Sequence, residues 1–69
     1  MNTSHPYMLH VRYEHGPAEM VPYDGPVGRE HVRAECRKIL QGILGAPAVS
    51  VDIMRPAAGE WTVVEIIKA

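Results

Sequence analysis

Polar and apolar positions alternate from Tyr7 to Glu14. Tyr7, Leu9, Val11 and Tyr13 fall on one side; Met8, His10, Arg12 and Glu14 fall on the other. A period of two with β-branched and aromatic residues predicts a half-buried strand. Residues 15–26 then carry Gly16, Pro17, Pro22, Gly25 and Pro26, which oppose a long regular element and predict a loop. Over 26–44 the period lengthens: Val32, Cys36, Ile39 and Ile43 recur at i, i+4, i+7 and i+11, with Leu40 and Leu44 alongside. That is an amphipathic helix with one stripe on a core. Asp24 or Gly25 is expected to cap its start, and Gly45 with Pro47 to end it. Gly42 inside the last turn is expected to cost about 1 kcal/mol relative to alanine.

Period two returns over 48–55, with Val49, Val51 and Ile53 on one face. It returns again over 60–69, apolar on both faces: Val64 and Ile66 on one, Trp61, Val63 and Ile67 on the other. The turn between them is the PAAG segment, 56–59. Pairing Arg55 with Glu60 sets Val51 against Val64 and Val49 against Ile66, under the helix. A strand apolar on both sides is usually central. The expected architecture is therefore α+β. It is a β-α-β-β chain with a three-stranded antiparallel sheet in order 1-3-2 and the helix packed on one face. Residues 1–69 make one domain, with 1–6 as a polar arm.

The same register gathers Met54, Trp61, Val63 and Ile67 on the face away from the helix, with Met8 nearby. His10, Arg12, Ser50, Asp52 and Glu65 are interleaved. Contiguous exposed apolar patches of this kind mark partner or ligand sites. Met8, Met54, Trp61, Val63 and Ile67 are thus the candidate partner-binding residues, and Met20 and Tyr23 of the loop form a candidate second site. Size points the same way. The chain has 69 residues and one cysteine, Cys36, so no disulfide forms within it. A core this small supplies about 3–5 kcal/mol, and a second subunit would add burial. The expectation is a small non-enzymatic protein–protein interaction module, homo-oligomeric, that also binds a further protein. The Ala-, Gly-, Pro-, Val- and Arg-rich, Phe-free composition suggests a bacterial or phage origin.

Charge narrows the choices. Seven basic and eight acidic residues nearly cancel, so no global field draws nucleic acid. Arg29, Arg33 and Arg37 form one row on the helix, with Lys38 beside them. They are the candidate nucleic-acid surface, but Glu30 and Glu35 dilute it and no aromatic residue is interleaved. No apolar run is long enough for a bilayer, and residues 1–8 lack the basic start and apolar run of a secretory leader. With a lone reduced cysteine, a cytoplasmic setting without membrane contact is expected.

Little chemistry is encoded. His5, His10 and His15 recur at equal spacing, but residues five apart on a strand point to opposite faces, ~16 Å apart at ~3.3 Å per residue. No tetrahedral ligand set results, and His31 with Glu35 reads as a solvated helical pair, so no metal is expected. Cys36 lies in the apolar stripe and reads as a small hydrophobe. There is no phosphate-binding glycine loop, GxSxG, HExxH or CxxC. His10, Asp52 and Glu65 could share a face, as ordinary cross-strand polar contacts rather than a catalytic site. No catalytic residue and no cofactor are therefore expected.

The β-α-β-β order and length are similar to the dodecins, flavin-storing dodecamers. That resemblance is of topology: dodecins stack flavin on a tryptophan of the second strand, whereas Trp61 opens the third here, and the proline-rich loop is foreign to them. It implies an alternative function, an oligomer binding a flavin-like aromatic ligand against Trp61.

Overall fold

The structure, a computed structural model, describes residues 7–43 and 45–69. The arm 1–6, with His5, and Leu44 of the helix stripe lie outside the described residues. The chain runs β1 (Tyr7–Arg12), β2 (Glu19–Tyr23), α1 (Arg29–Gln41), β3 (Ser50–Ala57), β4 (Glu60–Lys68). All pairings are antiparallel, and the four strands lie in the order β2-β1-β3-β4. The α+β class and the single helix agree with the alternation and the stripe. The three-stranded sheet in order 1-3-2 does not.

Two departures account for the difference. The expected loop 15–26 contains a strand. Pro22 obscured it, yet β2 is an edge strand, where proline is tolerated because only one side of the strand takes part in a ladder. Val21 and Tyr23 lie opposite Leu9 and Tyr7, so β2 obeys the same alternation as β1. The C-terminal strand, apolar on both faces, is not central but forms the other edge. The strand beside β1 is β3, whose Val51 and Ile53 are fully buried although Ser50 and Asp52 alternate with them. The β-α-β-β order behind the dodecin comparison is thus replaced by β-β-α-β-β.

The core lies between α1 and one face of the sheet. Leu9, Val11, Val51 and Ile53 rise from the strands to meet Val32, Cys36 and Leu40, with Ile39 and Ile67 packed at the margin. Each fully buried side chain of this size contributes about 1.5–3 kcal/mol. Ile43 is exposed because the helix has already ended. Gly42 stops it in a left-handed conformation (φ 81°), with its N–H donating to the Ile39 carbonyl and that of Ile43 to Lys38. Gly42 is therefore the terminator, not an interior residue followed by a stop at Gly45. At the other end Gly28, not Asp24 or Gly25, precedes the first turn; its carbonyl accepts the N–H groups of His31 and Val32. Tyr23 anchors the approach to the helix, donating to the Pro26 carbonyl at 2.8 Å and meeting Tyr7 edge-on.

The β3–β4 hairpin is tighter than a four-residue loop. Ala57 pairs with Glu60, leaving Ala58 and Gly59 as the turn with φ 51° and 81°. Positive φ at both central residues is the requirement of a type I′ turn, whose twist suits a hairpin. One irregularity follows: Met54 pairs with Val63 but Ile53 with Glu65, so Val64 is an extra residue, a β-bulge.

Candidate functional site

The face of the sheet away from α1 carries three cross-strand rows. Met8, Met54 and Val63 form one; His10, Asp52 and Ile66 the next; Arg12, Ser50 and Lys68 the last. Trp61 lies opposite Pro56 beyond the first row, and Met20 of β2 lies beside His10. Trp61 is 38% exposed, Val63 44%, Met20 49% and Ile66 51%, while Met8 and Met54 are half-buried. The face is thus polarised, apolar toward the hairpin and basic at the row of Arg12 and Lys68.

Asp52 sits between the two ends. Its neighbours cover it, leaving it only 2% exposed. Arg12 Nη2 donates to Oδ2 at 2.7 Å, and His10 Nδ1 lies 3.2 Å from the same oxygen. Oδ1 is buried without a hydrogen-bond partner. The expected polar cluster therefore forms from His10, Arg12 and Asp52, and Glu65 is not part of it.

The bulge explains that. Continuing the regular register from Met54↔Val63 would set Glu65 directly opposite Asp52, two carboxylates in one cross-strand pair, which is unfavourable. The extra Val64 shifts Glu65 to the helix face and gives Asp52 an apolar neighbour, Ile66. On the helix face, Glu65 accepts from Arg33 Nε at 2.8 Å and from Arg29 Nη1 at 3.0 Å. Arg33 first and Arg29 second hold its carboxyl below the usual range; Glu65 makes Arg33 more basic than usual, and Tyr7 first and Glu65 second do the same for Arg29.

A comparison with family models, curated proteins and solved structures finds no match.

The structure brings Met8, Met54, Trp61 and Val63 onto one face, and adds Ile66 and Met20. Ile67 is not with them. It pairs with Val51 and packs against the core, because the bulge at Val64 reverses its side, whereas the tighter turn shifts the pairing by two residues and keeps each side chain on its face. Ile66 escaped sequence reasoning for the same reason, since the Val63-Val64 pair does not announce a bulge. Met20 and Tyr23 do not share a second site: Tyr23 is buried under the helix, and Met20 faces the other way. Of the basic helix row, Arg29 and Arg33 are engaged by Glu65, which leaves Arg37 and Lys38 as its other members. Cys36 is fully buried, and desolvation first, then the Glu35 charge, pushes its thiol up to about 11. Among the described residues no three His, Cys, Asp or Glu side chains gather as metal ligands, and no helix is long and apolar enough to cross a membrane.

Proposed function

We propose that the protein is a non-enzymatic interaction module that self-associates through the open face of its sheet. The observation that carries this reading is the cluster of exposed Trp61, Val63, Ile66 and Met20 around half-buried Met8 and Met54. Such a cluster on one face is what a docking surface requires. Tryptophan and methionine are enriched where interfaces are buried, and charge is depleted there. On this face the charged side chains sit mainly at one end.

Face stacking is favoured over edge addition. β4 has an unpaired side, but Val64 interrupts its regular ladder, and bulges are a common means of blunting an edge. Two sheets stacked face to face lie ~10 Å apart, with their apolar side chains interleaved. Running the two copies in opposite directions keeps the two Arg12–Lys68 rows apart.

Light scattering across protein concentration tests this. The wild-type mass is expected to rise to an integral multiple of 7.7 kDa. Trp61→Asp is expected to remain monomeric with an unchanged helical circular dichroism signal. A wild-type monomer at every concentration, or a Trp61→Asp oligomer, overturns the reading. Quenching of Trp61 emission by added flavin in the oligomer would favour the aromatic-ligand alternative instead.

A further inference from the structure

On the opposite side of the sheet, α1 packs chiefly over β3 and β4, leaving the β1–β2 half partly uncovered. A cleft of about 650 Å³ lies between α1 and β2. Half-buried Val21 and Ile39 offer its open apolar surface, with Ala34 on the helix side and the buried Leu9 and Val11 beneath. The loops at Asp24–Pro26 and Gly45–Ala46 border it as well.

We propose that this cleft binds a small organic cation with an aromatic or alkyl body, seated against Val21 and Ile39 with its charge drawn to the Glu19 and Glu35 carboxylates. Size selects the class. The volume falls within the ~300–1,000 Å³ of small-molecule sites. Two turns of helix, ~11 Å long and ~10 Å across, already displace roughly 850 Å³ and would stand proud of the cleft. A second copy's helix does not suit either, since its apolar stripe of Val32, Cys36 and Leu40 is already spent on its own sheet.

Charge selects the sign. The carboxylates of Glu19, from β2, and Glu35, from α1, border the cleft from opposite walls; among the described lining residues Lys38 is the one full cation, with His31 also present. Glu19 is oriented, because the Tyr13 hydroxyl donates to its Oε1 at 2.7 Å. Burial raises the Tyr23 phenol, and the charge of Glu35 raises it further; both residues line the cleft. The Tyr13 ring also lines the cleft and offers a π face to an ammonium. An anion would meet carboxylates on both walls.

Three ligands sharing an indole ring and differing in charge test this: tryptamine, tryptophol and indole-3-acetate, titrated into the isotope-labelled full chain by NMR. Tryptamine is expected to shift the amides of Val21, Ala34 and Ile39 in a saturable manner, leaving Trp61 and Val63 unmoved. Indole-3-acetate is expected to bind about tenfold more weakly, with tryptophol between. The double variant Glu19→Gln with Glu35→Gln is expected to reduce tryptamine to the level of tryptophol with the helix signal intact. Ala34→Phe, at an exposed helical position, should occlude all three. Equal affinities for the three, no saturable shifts, or shifts centred on the open face would overturn the proposal. So would a basic amphipathic peptide that binds the cleft more tightly than tryptamine. Because the cleft and the docking face lie on opposite sides of the sheet, failure of one leaves the other standing.

Discussion

Two carboxylates, each held by two basic side chains, sit in opposite circumstances. Asp52 is on central β3, nearly inaccessible, and offers one oxygen to both Arg12 and His10 while the other has no partner. Glu65 is on edge β4, partly exposed, and gives one oxygen to each of Arg29 and Arg33. Glu65 is geometrically well satisfied but screened by solvent, where ion pairs contribute little. Asp52 is poorly satisfied in a dry setting, where an unpaired charge is costly. Geometry and energetic weight therefore run in opposite directions, and the buried carboxylate is the one to which stability should respond.

The largest effect is expected from breaking the Asp52 cluster on one side. Arg12→Met leaves a buried charge with His10 alone and should destabilise by about 1–3 kcal/mol in urea unfolding at neutral pH. Asp52→Val removes the buried charge and suits a central strand, while the more exposed Arg12 and His10 return to water. It should be neutral or slightly stabilising. If Asp52→Val is as damaging as Arg12→Met, the buried carboxylate is a net asset and the contrast with Glu65 collapses. A smaller effect is expected at the hairpin joining the two strands. Ala58 occupies a left-handed conformation that asparagine tolerates better, so Ala58→Asn should stabilise by about 0.5–1 kcal/mol, read as a higher urea midpoint.

The smallest effect at neutral pH is expected from Glu65→Gln, whose signature is pH dependence. A carboxyl depressed in the folded state contributes stability above its unfolded pKa, and loses it as pH falls through the folded value. Wild type should therefore lose stability on acidification below about pH 4.3, and Glu65→Gln should lose less over that window. Parallel acid limbs for the two proteins would show that the Arg29–Glu65–Arg33 cluster contributes nothing measurable. Cys36 provides an alkaline counterpart. Its raised thiol leaves stability intact below the unfolded value of about 8.5, with loss as pH rises toward about 11. Cys36→Ala would flatten that limb, and the native thiol should react slowly with alkylating reagents at pH 8.

How much of this was legible depended on whether local pattern or register carried the information. The alternation from Tyr7 to Arg12 and the Val32, Cys36, Ile39 and Leu40 part of the helix stripe hold, because period alone determines which side chains share a face, while Ile43 lies beyond the helix end. β2 was hidden, since its five residues include Pro22, a strand breaker except at an edge. The placement of β4 was misread because apolar residues on both faces fit a buried central strand and an edge strand with a docking face equally well. Two events in the hairpin are not announced by composition: a two-residue turn begun by alanine rather than asparagine, and one extra valine. The turn moves the pairing by two residues and changes partners but not faces; the side of residues 65–67 rested on the extra valine, because a single-residue slip reverses every side chain beyond it. Hence Met8, Met54, Trp61 and Val63 were foreseeable on one face, whereas Ile66 in place of Ile67 was not.

The pairing of β1 with β3 has a bearing on how the molecule is built. The sheet consists of two hairpins, β1–β2 and β3–β4, each closed over a short stretch of chain, joined along a seam whose partners are 42 residues apart at His10 and Asp52. Local contacts form quickly, and distant ones wait on loop closure. The hairpins are expected to form early and the seam to zip last. Trp61 and Val63, both on β4, would then acquire Met8 as a neighbour only in the final step, so competence to dock would arrive together with completion of the fold.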